Sequence, residues 1–386
     1  MNILIVSPWD LTYTGGVTSA VGMLACELLH KGHSTTVLVT GNGDNPSLIN
    51  DRDGVPVYEM CLRLPVSNVN RLRACAAFFI MLPATLYRLY RFLSRRSIEG
   101  VVIQYPLAPC FYFGILRRLC SWKLLVVYQG SDAHELHTWS SVERRLVHWL
   151  LKSSDCIIAV SESLLKKVFH VFPDLKKKAS CLIPNGAPLR WADCNRGPSI
   201  PQGIPDAYVL SAGRLIHRKG FDILIDALKL MRQRGEDLNV VIAGDGPELS
   251  NLLHVAKQAG VHKQLHFLGD QPHERVFDLM KGCMFFVLPS RAEGLPLVIA
   301  EAMACGKAVI ATDVDGIPDI LHHGRTGLLV RPDDAQSLAD ALARLRDDVA
   351  WRRELGETAK KWAMERFNWS NIADQYLQRL MCQEVR

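Results

Sequence analysis

Residues 289–316 read PSRAEGLPLVIAEAMACGKAVIATDVDG, and their order of turn formers and apolar runs decides the fold. The apolar run MFFVLP (284–289) leads into a loop that carries Glu293. Pro296 has the fixed φ suited to the first position of a helix, and Gly306 ends that helix before the next strand, AVIAT. A strand, a helix and a second strand in this order form one unit of a parallel sheet.

The same alternation runs outward in both directions. Ahead of this unit lie YVLSAG (208–213), VVIAG (240–244) and LHFLG (265–269), each followed by a helical pattern. In the first half the strands are expected at Ile3 to Val6, Thr35 to Val39, Val101 to Tyr105, Leu124 to Tyr128 and Cys156 to Val160. The first helix runs from about Val17 to Lys31 and is closed by Gly32. Between the halves the pattern breaks at NRGPSIPQGIPD (195–206), where three Pro and two Gly suit neither a helix nor a central strand. The expected class is α/β, with two Rossmann-like doubly wound domains facing a cleft. Residues 1–194 form the first domain, 195–206 the linker and 207–365 the second domain. A helical segment, 366–386, packs back toward the first. Ligands in such folds sit beyond the carboxyl ends of the strands.

A length of 386 residues suits two cores, and 48% hydrophobic against 22% charged residues excludes a disordered chain. No apolar run of 18 or more residues occurs, and MNILIVSPWD opens as a strand rather than as a basic leader, so neither a membrane span nor a signal peptide is expected. The 11 cysteines include no CxxC pair, which fits a reducing cytoplasm. The net charge of +6 is uneven: residues 1–200 carry 22 Lys and Arg against 14 Asp and Glu, or +8, and the remainder carries −2. Either the first half is simply solvated or it meets something anionic.

Besides the Glu293 loop, three loops could carry chemistry. Strand one is followed by SPWDLTYTGGV, whose Gly15–Gly16 pair leaves helix-start N–H groups free for a phosphate or a sugar oxygen. It lacks the G-x-G-x-x-G spacing, and no GxxxxGK[ST] occurs, so a nicotinamide enzyme and a P-loop kinase lose their support. The restart strand leads into SAGRLIHRKG, which places Arg214, Arg218 and Lys219 among glycines in a loop suited to a diphosphate. After the Leu124 to Tyr128 strand, YQGSDAHELH should project Asp132 and His134 toward the cleft. Glu301 sits about five residues into its helix, roughly 7 to 8 Å along the axis. With Glu293 it offers two acceptors spaced for hydroxyls rather than for one shared proton or metal. The same +8 spacing recurs at Glu135/Glu143 and Glu357/Glu365, which are read as solvated helix faces. D-x-D appears at Asp51/Asp53 and Asp313/Asp315, as often as chance allows. No metal site is expected.

In order along the chain, the motifs G-G-V, V-S-x-S, I-P-N-G (183–186), G-R-L-x-x-x-K-G, A-G-D-G-P (243–247) and E-G-L-P-L-V-I-A-E-A-M-A-C-G-K resemble those of the retaining GT-B glycosyltransferases of family 4. The resemblance covers nearly the whole chain. It implies that Arg214 and Lys219 clamp the donor diphosphate, that Glu301 meets the nucleotide ribose and that Glu293 lies beside the donor sugar. It further implies that the helix start around Leu297 gives N–H groups to the phosphate, and that Gly16 approaches the donor from the opposite wall. Asp132 matches the aspartate of the family's H-G-x-D, but Gln129 stands where that motif has histidine. Whether His134 substitutes is left open.

The implied activity is transfer of a sugar from a UDP- or GDP-linked donor to a hydroxyl of a growing saccharide, with retention and with no metal or other cofactor. Surface polysaccharide or glycolipid synthesis fits. The alternatives are a glycosyltransferase with a soluble sugar or small-molecule acceptor and, more remotely, an epimerase, a phosphorylase or a binding subunit. No nucleic-acid partner is expected. Residues 71–96, RLRACAAFFIMLPATLYRLYRFLSRR, put an uncharged centre between basic ends. This segment is either a crossover helix packed on the sheet or a helix lying on the anionic inner face of the plasma membrane, where a lipid-linked saccharide would be the acceptor.

Overall fold

The computed structural model describes residues 1–11, 16–64, 71–187, 189, 192 and 197–382; the side chains of 71–77, 131 and 134 lie outside this set. The chain forms two compact units, Met1–Asn185 with Trp369–Arg386, and Gly186–Asn368.

Unit 1 holds strands β1 (Asn2–Ser7), β2 (Ser34–Thr40), β3 (Ser47–Arg52), β4 (Val55–Met60), β5 (Gly100–Gln104), β6 (Lys123–Tyr128), β7 (Cys156–Ala159) and β8 (Ser180–Leu182). Its helices are α1 (Gly16–His30), α2 (Arg71–Arg95), α3 (Phe111–Arg117), α4 (Ser131–His134), α5 (Ser141–Ser153) and α6 (Glu162–Val171). Unit 2 holds β9 (Val209–Ala212), β10 (Val240–Ala243), β11 (Leu265–Phe267), β12 (Phe286–Leu288), β13 (Val309–Thr312) and β14 (Gly327–Val330). Helices α7 (Phe221–Gln233), α8 (Leu249–Gln258), α9 (His273–Gly282), α10 (Leu297–Ala304), α11 (Ala335–Asp347) and α12 (Val349–Arg366) belong to it, and α13 (Trp369–Met381) returns to unit 1.

The sheets run β3-β4-β2-β1-β5-β6-β7-β8 and β11-β10-β9-β12-β13-β14. Every strand pairing is parallel except β3 with β4. Set the antiparallel β3 aside, and both sheets follow the doubly wound order in which the first strand lies between the second and the fourth. The reversal therefore falls between β1 and β5 in unit 1 and between β9 and β12 in unit 2. The central strands are buried from end to end, as in β5, β9 and β13, because helices cover both faces. That is why they are legible as unbroken apolar runs.

Four strands, β3, β4, β8 and β14, escape such a reading. β3 is exposed along its whole length and contains Asn50, Asp51 and Arg52, so no apolar run marks it. It forms a hairpin with β4 around Asp53 and Gly54, both at positive φ, and Asp51 Oδ1 accepts from Gly54 N at 3.0 Å. The first D-x-D is thus a turn. β8 is an exposed edge of three residues, and β14 closes the far edge of unit 2.

The division of the chain also differs from the expected one. The units part at Asn185/Gly186, ahead of the Pro- and Gly-rich stretch 195–206. The described part of that stretch packs on unit 2: Arg275 Nη1 donates to Ser199 O at 2.6 Å, and a Cβ on Gly282 would meet the Ile200 side chain at 2.7 Å. Helix α13 carries Trp369, Ile372, Ala373, Tyr376, Leu377 and Leu380 into the core of unit 1 beside Ile3, Val37, Val102 and Leu125. Among the described residues no helix is long and apolar enough to cross a membrane.

Candidate active site

The reversal between β9 and β12 sends two loops away from neighbouring strand ends. After β9 the chain passes Gly213, makes a single tight turn at His217–Lys219 and enters α7 through Gly220, at φ 66°. After β12 it passes Pro289 to Pro296 and enters α10. A Cβ on Gly220 would stand 1.9 Å from Pro289 O, so the two loops touch backbone to backbone. Gly244, the first glycine of the A-G-D-G-P motif, does the same for the β9 loop: its φ is 145°, and a Cβ there would lie 2.0 Å from Gly213 O.

Arg291 ties these loops together. Its guanidinium reaches Asp222 Oδ1 at 2.8 Å and Oδ2 at 2.6 Å, Asp333 Oδ1 at 2.7 Å and His217 O at 2.7 Å, while its backbone N donates to Arg218 O at 2.8 Å. Burial pushes the Asp222 carboxyl up, but the hydrogen bonds and charge of Arg291 hold it below the usual carboxylate range. In turn, Asp222 and Asp333 raise the affinity of Arg291 for its proton.

The result is a narrow polar floor. Lys219 Nζ lies 2.5 Å from Glu293 Oε1, and Ser290 Oγ donates to the same oxygen at 2.6 Å. Glu293 N donates to Asp315 Oδ2 at 3.0 Å, and Thr312 Oγ1 donates to Ser290 O. The Lys219 and Glu293 side chains are 16% and 7% exposed, so each is held by the other rather than by water. Arg214 is exposed on the same loop. Pro296 caps α10 without a side-chain hydrogen bond, which leaves the N–H of Leu297 at a positively polarised helix end. Glu301 follows one turn further, buried, with its Oε1 3.0 Å from His273 Nε2.

Sequence-predicted residues Arg214, Lys219, Glu293, Leu297 and Glu301 therefore share the carboxyl ends of β9 and β12. A cation pair, a helix start and two buried carboxylates can neutralise a diphosphate and accept hydrogen bonds from hydroxyls. Arg291, Asp222, Asp315 and His273 were not singled out as site residues. Arg291 stood inside the decisive motif, and Asp315 in a D-x-D set aside as chance; the long-range pairings of Asp222 and His273 left no local pattern.

Gly16, Asp132 and His134 belong to unit 1. Gly16 is the exposed first residue of α1, above β1, and residues 12–15 before it lie outside the described set. Asp132 corrects the expectation that it protrudes. It is wholly buried, and its carboxylate accepts from the N–H of Gln129 at 2.9 Å, Gly130 at 2.6 Å and Ala133 at 3.0 Å. Burial pushes this carboxyl up to about 7, against the pull of those N–H groups. An acceptor-only side chain shaping its own loop satisfies three donors at once, which outward projection would leave unmet. The His134 side chain lies outside the described residues. Gln129 is buried too: its Nε2 donates to Gln104 Oε1 at 2.5 Å, and its Oε1 accepts from Asn185 Nδ2 at 2.5 Å.

Residues 15–186 match the glycosyl transferase 4-like domain, and residues 201–362 match glycosyl transferases group 1. N-acetyl-alpha-D-glucosaminyl L-malate synthase of Bacillus anthracis is 36% identical over 295 residues, 73% of this chain and 74% of that one. The chain belongs to the family 4 glycosyltransferases. Among solved structures, this glycosyltransferase is similar to Anabaena Alr3699/HepE in complex with UDP, with a TM-score of 0.76, 19% identity and coverage of 98% of this chain and 99% of that one. It is equally similar to sucrose-phosphate synthase from Thermosynechococcus elongatus, with a TM-score of 0.76, 22% identity and coverage of 98% and 97%. The fold is GT-B, and the glycosyltransferase is a transferase enzyme.

The loop contact of this glycosyltransferase can be tested at Gly220. Gly220→Ala should cost about 2 kcal/mol or more, since it combines a left-handed φ with a clash against a backbone oxygen. Gly197→Ala, where a Cβ meets nothing within 4 Å, should stay within about 0.5 kcal/mol of the parent. Urea unfolding midpoints read both, and equal midpoints for the two variants would contradict the contact.

Proposed function

We propose that this glycosyltransferase moves a sugar from a nucleotide diphosphate donor to a saccharide hydroxyl with retention of the α configuration. The observation that carries the reading is the Lys219–Glu293–Ser290 floor at the β9/β12 reversal, with Arg214 and the start of α10 beside it. Charge develops on the departing diphosphate, and the cations stand where it would be met. Lys219, now paired with Glu293, would exchange that partner for phosphate oxygens, which frees Glu293 for the donor sugar. Glu301 would accept from the ribose hydroxyls. In this reading the leaving phosphate assists front-face attack by the acceptor hydroxyl, so no second carboxylate is required as nucleophile. Bound UDP in the HepE structure supports a uridine diphosphate donor, with a guanosine diphosphate donor as the alternative. In unit 1, Gly16 would approach the donor and Asp132 would fix the loop 129–134.

Arg214→Ala or Lys219→Ala should lower kcat/KM by roughly 30-fold to 1000-fold, corresponding to about 2 to 4 kcal/mol of transition-state stabilisation. Near-parental kcat/KM in both variants, measured by release of the nucleotide diphosphate, would remove the clamp. Because Arg and Lys meet the diphosphate charge, turnover should survive exhaustive treatment with a chelator. Loss of activity that manganese or magnesium restores would show that a metal shares the task.

A lipid-linked acceptor at the cytoplasmic face of a membrane is favoured by helix α2. Phe78, Leu89, Phe92 and Leu93 turn into unit 1, whereas Phe79, Ile80, Tyr87 and Tyr90 are 62%, 75%, 61% and 48% exposed. An outward face of apolar and aromatic side chains with arginines at its end suits an anionic lipid surface. Arg96 is engaged elsewhere, hydrogen-bonded to the Tyr58 hydroxyl, with its guanidinium 4.2 Å from the ring centroid. Co-sedimentation with liposomes should rise with anionic lipid content and fall with salt. Equal binding to neutral and anionic vesicles, or none to either at low salt, would leave a soluble acceptor as the better reading.

A further inference from the structure

Glu301 is a buried carboxylate, its side chain 7% exposed, and among the described residues His273 is the only side chain hydrogen-bonded to it. His273 opens α9, on a different element from Glu301, and its side chain is 44% exposed. Its ring stands edge-on to Phe277, with centroids 5.5 Å apart and planes at 74°, which limits the ring's rotation. A buried carboxylate needs partners for both oxygens, yet among the described residues a side chain hydrogen-bonds to only one. Burial lowers the basicity of the His273 ring, but the hydrogen bond and charge of Glu301 outweigh it and leave the imidazole a stronger base than usual. The contact is therefore charge-assisted whenever His273 is protonated.

We propose that His273 is a positioning residue for the donor: it holds Glu301 by Oε1 and thereby aims Oε2 at the hydroxyls of the nucleotide ribose. The proposal rests on the assignment of Glu301 to the ribose and adds a residue that no motif of the chain marks. Without this contact Glu301 regains its side-chain rotamers, and the acceptor geometry for a vicinal diol must be re-formed each time the donor binds. The effect should appear in donor binding rather than in the chemical step.

The test is calorimetric titration of the full chain with UDP, and with GDP in a parallel series, followed by steady-state kinetics with the cognate nucleotide sugar. His273→Leu and His273→Ala should each raise the Kd of the nucleotide about tenfold, and the donor KM with it, while kcat stays within about twofold. His273→Gln, whose amide nitrogen can reach the position of Nε2, should restore most of the affinity. Two apolar substitutions guard against one misfolding, and thermal unfolding checks both. In the Glu301→Ala background, His273→Leu should have no further effect if it acts through Glu301.

Unchanged affinity in His273→Leu and His273→Ala, beside a clear loss in Glu301→Ala, would overturn the proposal and leave the ribose assignment standing. Unchanged affinity in Glu301→Ala, or no binding of either nucleotide to the parent chain, would overturn the assignment and the proposal with it. Failure of His273→Gln to recover affinity, or a fall in kcat with KM unchanged, would likewise overturn the positioning role.

Discussion

The backbone contact between the loops that follow β9 and β12 is the constraint on which the polar floor of unit 2 depends. A parallel sheet whose strand order reverses must send two neighbouring loops in opposite directions, and the gap between them is the natural place for a ligand. Here Gly220 lets that gap narrow until main chain meets main chain, and Arg291 fixes the contact with hydrogen bonds to Asp222, Asp333 and His217 O. Only then do Lys219 and Glu293 come within 2.5 Å of each other. The charged floor is a consequence of backbone geometry that a single methyl group would disturb.

Most of the polar groups around this floor are partnered within unit 2. Lys219 and Ser290 satisfy Glu293, His273 satisfies one oxygen of Glu301, and Asp315 receives the Glu293 N–H. A buried charge must be paired or hydrogen-bonded, and the Lys219–Glu293 pair joins groups proposed for different parts of one donor. Donor binding would then be an exchange of partners. Such an exchange lowers the desolvation cost on entry, since neither member of the Lys219–Glu293 pair has to be stripped of bulk water.

How much of this was legible in the sequence follows from what each feature needs. The central strands, buried on both faces, had to be continuous apolar runs, and the turn at Gly306 and the helix after Pro296 followed from local backbone preferences. The edge strand β3 carries no such demand and left no mark apart from its Asp53-Gly54 turn. Lys219 and Glu301 stand in contiguous motifs, which is why the sequence alone could single them out. Asp222 and Arg291 lie 69 residues apart and Glu301 and His273 lie 28 apart, so neither pairing had a local signature. Asp132 was placed correctly on its loop but turned the wrong way. Whether a side chain projects outward or folds back on its own N–H groups is decided by three backbone donors that no residue type announces.

A crystal structure of the full chain with UDP tests the central claim most directly. The account expects the diphosphate within hydrogen-bond distance of Lys219, Arg214 and the N–H groups at the start of α10, with the ribose hydroxyls on Glu301 and the Lys219–Glu293 contact opened. A diphosphate bound away from the β9 and β12 loops, or a Lys219–Glu293 pair left intact beside bound nucleotide, would contradict it.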